Sequence, residues 1–161
     1  MTLALYQPDI AQNAGTILRM CACLGLDAAI VEPAGFPTSD RHFRRAGMDY
    51  LDHVALRRHA SYDAFDLWRR AAGRRLVLLT TKAGQSCFDF SFRRGDVLLL
   101  GRESAGAPER VHADADARLR VPMVQGLRSL NVAVAAAMAV GEATRQLRHV
   151  PRRTDDRVNE T

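Results

Sequence analysis

Leu98-Leu99-Leu100-Gly101-Arg102-Glu103-Ser104-Ala105-Gly106 sets three leucines directly before a polar loop that begins and ends with glycine. Such a run reads as a buried strand, and glycines at its carboxyl end let backbone approach a ligand closely or take positive φ. Taken alone, the segment reads first as an ordinary strand-to-loop turn, ahead of a ligand-binding one. A dinucleotide fingerprint needs G-x-G-x-x-G opening a helix after an early strand, and here only G-x-E-x-x-G is present.

Apolar, strand-like runs extend outward from it at Leu3-Tyr6, Ala28-Val31, Val54-Leu56, Leu76-Thr80, Val97-Gly101 and Leu119-Val121. Helical segments are expected between them: Ala14-Leu24 with Asn13 as N-cap and Gly25 at its end, Asp40-Ala46, and Tyr62-Ala72 with Ser61 as N-cap. A short turn should follow Pro108, and Ser129-Arg148 should form the last helix. The alternation predicts an α/β domain with a mostly parallel sheet flanked by helices. The last helix is apolar nearly all round from Leu130 to Val140, so it is expected to be buried on most faces, with a second subunit as a natural wall.

A chain of 161 residues with 47% hydrophobic content suits one core, so a single domain over 1–150 and a frayed polar tail over 151–161 are expected. No basic leader precedes the first apolar run, and the longest apolar stretch, Val132 to Val140, is far below the roughly 20 residues of a membrane span. A soluble cytoplasmic protein without membrane contact follows as the expectation. Cys21, Cys23 and Cys87 read as buried free thiols, and the histidines lack ligand spacing, so no metal is expected.

The net charge of +5 suits a polyanionic partner. The arginines come in groups: Arg41, Arg44 and Arg45; Arg57 and Arg58; Arg69, Arg70, Arg74 and Arg75. Charge alone leaves open a solvated face or a nucleic-acid surface.

Two further segments stand beside the first. Asn13-Ala14-Gly15-Thr16-Ile17-Leu18-Arg19 opens a helix whose free N–H groups favour an anion such as an RNA phosphate, while Asn13 as a simple cap and Arg19 as a surface residue is the plain alternative. Val121-Pro122-Met123 leads to Arg128-Ser129-Leu130-Asn131, where Ser129 and Asn131 either hold a ligand carboxylate or cap the final helix.

The joint order of these three segments resembles the SPOUT superfamily of RNA methyltransferases, in its ribose 2′-O-methylating branch, from about Leu3 to Arg148. Within that branch the chain is similar to the minimal tRNA wobble-nucleotide enzymes, the TrmL group. The likeness rests on Glu32-Pro33-x-Gly35-Phe36, Arg44-Arg45-Ala46-Gly47-Met48-Asp49-Tyr50 and Leu79-Thr80-Thr81-Lys82.

The resemblance implies a C-terminal trefoil knot, a homodimer, and S-adenosyl-L-methionine as cofactor. It casts Arg19, Asn13, Glu103, Ser129 and Asn131 as catalytic, with Leu79, Thr80, Gly101, Glu103, Val121, Met123, Ser129 and Leu130 at the cofactor. Arg41, Arg44 and Arg45 would bind a tRNA anticodon stem-loop, and the expected reaction is 2′-O-methylation of the wobble cytidine or uridine. Arg102, Ala105 and Ala133 depart from the family pattern, which has proline, a larger or basic residue, and serine at these places. Methylation at another tRNA or rRNA position, and noncatalytic RNA binding on the same fold, remain as alternatives.

Overall fold

Leu76–Leu79 and Val97–Leu100 are buried at every position, as strands covered on both faces must be. The computed structural model describes residues 1–37, 50 and 53–148. These contain strands β1 (Thr2–Tyr6), β2 (Asp27–Val31), β3 (Leu56–His59), β4 (Leu76–Leu79), β5 (Gln85–Ser86), β6 (Val97–Leu100) and β7 (Ala117–Arg120). They form one sheet in the order β3-β2-β1-β6-β4-β7-β5, with every pairing parallel. The helices are α1 (Ala11–Leu24), α2 (Tyr62–Ala71), α3 (Glu109–Asp114) and α4 (Val132–Leu147), with a 3₁₀ turn at Cys87–Asp89.

Successive strand side chains alternate between two cores. Leu3, Leu5, Ile30, Val77, Leu98, Leu100 and Leu119 pack with Ile17 and Leu18 of α1 and Ala136, Ala139 and Val140 of α4. On the other face Ala4, Ala29, Leu76, Leu78, Val97 and Leu99 meet Tyr62 and Phe65 of α2 and Val111 of α3. Phe65 is fully buried, and truncation to alanine there costs about 3–5 kcal/mol. Gly25 closes α1 in the left-handed region at φ 62°, with its N–H and that of Leu26 returning to Ala22 and Cys21.

Several sequence expectations need correction. The third strand is Leu56–His59, displaced from Val54-Leu56, and β5 was not foreseen. Helix α1 starts at Ala11, after Ile10, so Asn13 lies in its first turn and does not cap it. The last helix begins at Val132, with Asn131 as N-cap accepting from the N–H groups of Ala133 and Val134; Ser129 precedes the helix and caps nothing. Within one chain α4 is buried on one face only, since Val134 and Met138 remain 50% and 38% exposed. Cys21 and Cys87 are buried but Cys23 is exposed, and burial pushes the Cys21 thiol up to about 12.

Much of the Arg69–Arg75 cluster serves the fold. Buried Arg69 pairs with Asp66 at 2.7 Å and Asp116 at 3.2 Å and donates to the carbonyls of Arg74 and Asp114. Arg70 pairs with Asp66, and Arg75 with buried Asp96 at 2.8 Å. The predicted helix Asp40-Ala46, with Arg41, Arg44 and Arg45, and the tail 151–161 lie outside the described residues.

Candidate active site

Strands β4, β6 and β7 are neighbours, and the loops leaving their carboxyl ends enclose a cavity of about 520 Å³. In an open parallel sheet this end of the strands is where ligands bind. Leu79, Leu100, Val121 and Leu130 supply apolar wall, while Thr80, Lys82, Arg128, Ser129 and Asn131 bring polar groups to it. A mostly apolar hollow with a few convergent polar groups is the usual form of a small-molecule site.

The loop after β6 is a tight one. Arg102 and Gly106 exchange backbone hydrogen bonds of 3.0 and 2.8 Å, and Gly106 takes φ 68° to close the turn. The turn folds back on Gly101, where a Cβ would lie 2.5 Å from the backbone of both Gly106 and Ala107. Glycine is therefore required at 101 by the loop's own closure, before any ligand is considered. Gly101, Gly106 and Ala107 all face the cavity, so the closed loop shapes its wall.

A chain of polar contacts joins the three sequence segments at the cavity rim. Asn131 Nδ2 donates to Asn13 Oδ1 at 3.1 Å, and Asn13 Nδ2 donates to Glu103 Oε1 at 3.2 Å. The other Glu103 oxygen accepts the Asp9 N–H at 2.8 Å. The Asp9 carboxylate in turn accepts from the Arg102 guanidinium at 3.0 and 2.6 Å and from the N–H and hydroxyl of Ser104. Those donors, Arg102 first and Ser104 next, hold the Asp9 carboxyl down at about 2 against an ordinary 3.8. The loop before α1, the loop after β6 and the start of α4 are thus tied across about 90 to 118 residues of sequence.

Among the candidates, Asn13, Leu79, Thr80, Gly101, Glu103, Val121, Met123, Ser129, Leu130 and Asn131 all line this cavity. Arg19 does not. It is exposed on α1, its guanidinium 4.8 Å from the centre of the Tyr50 ring, and six residues beyond Asn13, a rise of about 9 Å along the helix. Asp9 was not anticipated, nor was the use made of Arg102, where the departure from proline is matched by the ion pair with Asp9. Buried His112, from α3, is another wall residue that went unforeseen. The only available signal was its place just past the Gly101–Gly106 loop.

Among the described residues no cluster of three His, Cys, Asp or Glu side chains is placed to hold a metal, and no helix is long and apolar enough to cross a membrane. Comparison with known proteins finds a relative from Beijerinckia indica subsp. indica named tRNA (cytidine(34)-2′-O)-methyltransferase. It is 70% identical over 145 residues, which are 90% of this chain and 91% of the relative. A solved structure described as giving structural insights into the 2-OH methylation of C/U34 on tRNA superposes with a TM-score of 0.87 at 44% identity, covering 91% of this chain and 95% of that one. The SpoU methyltransferase AviRb from Streptomyces viridochromogenes, in complex with the cofactor AdoMet, superposes with a TM-score of 0.84 at 29% identity, covering 91% and 57% of the two chains. The model of the SpoU rRNA methylase family matches residues 1–141, and the chain belongs to that family.

Proposed function

We propose that this protein is a tRNA 2′-O-methyltransferase that uses S-adenosyl-L-methionine to methylate the ribose of the wobble cytidine or uridine. The observation that carries the reading is the convergence of all the described candidate residues except Arg19 on one cavity at the strand ends. The named relatives act on the ribose of nucleotide 34, and AviRb takes the same cofactor.

The cavity fits that cofactor. Leu79, Leu100, Val121 and Leu130 offer the apolar surface an adenosine needs, and the closed Gly101–Gly106 loop brings bare backbone to its edge. Thr80, Ser129 and Arg128 present hydroxyl and cationic groups suited to the ribose and the amino-acid end. Held there by Thr80, Arg128 and Ser129, S-adenosylmethionine would supply an electrophilic sulfonium methyl for the ribose 2′-oxygen.

The chain's own residues position this reaction, a contribution that in favourable cases reaches roughly 7–11 kcal/mol. Glu103, Asn13 and Asn131 hold the loops in register across the cavity mouth. Arg19 orients the RNA phosphate and stabilises negative charge developing on the 2′-oxygen, while the hydroxyl proton passes to another acceptor. Arg41, Arg44 and Arg45 bind the anticodon stem-loop backbone, which sets affinity and not base identity.

Because Arg19 does not line its own subunit's cavity, the working unit is a homodimer in which it serves the partner's site. The exposed α4 face of Val134, Ala137 and Met138 is the surface a second copy would cover. The chain is read as one domain, 1–150, with a polar tail, 151–161, acting on tRNA in the cytoplasm. Strand β7 lies between β4 and β5 although it follows both in sequence, an order that supports a knotted C-terminal region. The test is methyl transfer to a tRNA with 2′-deoxyribose at the wobble nucleotide. That substrate should accept no methyl while the unmodified tRNA does, and equal incorporation would refute the assignment.

A further inference from the structure

At the opposite end of the sheet, beside the starts of β1, β2 and β3, lies a second cavity of about 540 Å³. Strand β1, five residues long, separates the two ends by roughly 17 Å. Three arginines face this groove, Arg57 and Arg58 from the edge strand β3 and Arg74 from the turn before β4, together with Trp68 of α2.

Two of these arginines are handled unlike the structural ones. Arg69, Arg70, Arg75, Arg102, Arg110 and Arg145 each pair with a carboxylate. Arg57 and Arg74 instead lie over the same Trp68 ring, at 5.5 and 4.9 Å from its centre, and no described carboxylate pairs with either. Arg74 also donates to the Thr2 hydroxyl at 2.8 Å. Asp27 lines the groove, yet no ion pair joins it to these two arginines.

Bringing two guanidiniums to one ring concentrates positive charge that the fold leaves without a paired carboxylate. A guanidinium stacked on an aromatic face keeps N–H groups at its edge, in the geometry that suits phosphate oxygens. On a chain of net charge +5 that acts on RNA, a polyanionic backbone is the ligand of matching chemistry.

We propose that this groove is a second docking point for the tRNA, where Arg57 and Arg74, held by Trp68, bind backbone phosphates distant from the methylated nucleotide. The proposal rests on the tRNA methyltransferase reading above. It adds to that reading a surface remote from the cofactor cavity.

The experiment measures binding of full-length tRNA by fluorescence anisotropy over a series of salt concentrations, alongside steady-state methylation. It compares the wild-type protein with Arg57→Ala, Arg57→Lys and Arg74→Ala, with thermal melting to establish folding. Arg57 is exposed on an edge strand, and the Arg74 variant gives an independent reading should Arg57→Ala not fold. Arg57→Ala should raise KM for tRNA about three- to tenfold with kcat and S-adenosylmethionine affinity unchanged. It should also reduce the slope of log K against log salt by about one, while Arg57→Lys keeps the slope.

Unchanged tRNA affinity and salt slope in folded Arg57→Ala and Arg74→Ala would overturn the proposal, as would a fall in kcat at constant KM. If the wild-type protein transfers no methyl to tRNA, the methyltransferase reading fails by itself. The anisotropy series still decides whether the groove binds RNA.

Discussion

Replacing Gly101 by alanine adds a single methyl group at the point where the β6 loop closes. That Cβ would sit 2.5 Å from the Gly106 carbonyl carbon and from the Ala107 nitrogen, against about 3.5–4.0 Å for ordinary carbon contacts. Both neighbours are backbone, so the loop must retreat by about 1 Å, and the paired Arg102–Gly106 hydrogen bonds at 3.0 and 2.8 Å stand in the way. Overpacking of this kind costs about 1–3 kcal/mol. At about 2–4 °C per kcal/mol for a domain of this size, Tm should fall by roughly 2–12 °C. Because Gly101, Gly106 and Ala107 form one wall of the cavity, S-adenosylmethionine affinity should drop at least tenfold, or about 1.4 kcal/mol, by titration calorimetry. Valine at the same position should be worse in both measurements. Wild-type Tm and affinity in Gly101→Ala would refute the reasoning, because the loop would then not close as described.

Arg19→Ala should lower single-turnover methyl transfer by orders of magnitude with cofactor affinity nearly unchanged; a near-normal rate would return Arg19 to the surface. Ala137→Glu places a carboxylate on the exposed apolar face of α4, and if a second subunit covers that face it should cost several kcal/mol of association. Sedimentation as a dimer and tRNA methylation should then fail together, and a monomeric variant with normal activity would contradict a shared site. The Asp9 carboxyl is depressed in the folded state, so its tie to Arg102 and Ser104 is fully present above about pH 4 and is lost as pH falls through about 2. Carboxyl NMR should find its midpoint near 2 in the native protein and higher in Arg102→Ala, though still below the ordinary value because the Ser104 donors remain.

The parts of the fold legible in sequence are those decided by local burial. Strands β1, β2, β4 and β6 are continuous apolar runs because helices cover both faces, and Ser61 and Gly25 end helices by purely local hydrogen bonds. β3 was misplaced because Val54, an apolar residue, is buried from a loop, whereas the strand itself carries Arg57 and Arg58 at a sheet edge where charge is tolerated. β5 has only two residues, too few for any period to register.

The site divides in the same way. Gly101, Ser129 and their neighbours stand at strand ends and helix starts, positions that local pattern marks. Asn13 looked like a cap because asparagine before an apolar helix usually is one. Its side chain instead reaches Glu103, 90 residues away, a tertiary demand no local window contains. The Asp9–Arg102 pair, 93 residues apart, was hidden for the same reason. The Arg69–Arg75 cluster was ambiguous in sequence because fold-internal ion pairs and phosphate contacts use the same residue type.

The central claim is tested most directly by mass spectrometry of tRNA nucleosides with position mapping, comparing tRNA incubated with S-adenosylmethionine in the presence and absence of the protein. The predicted result is a single added methyl on the ribose of the wobble cytidine or uridine, dependent on the protein. A methyl on a base, methylation only at another position, or no mass change would contradict it.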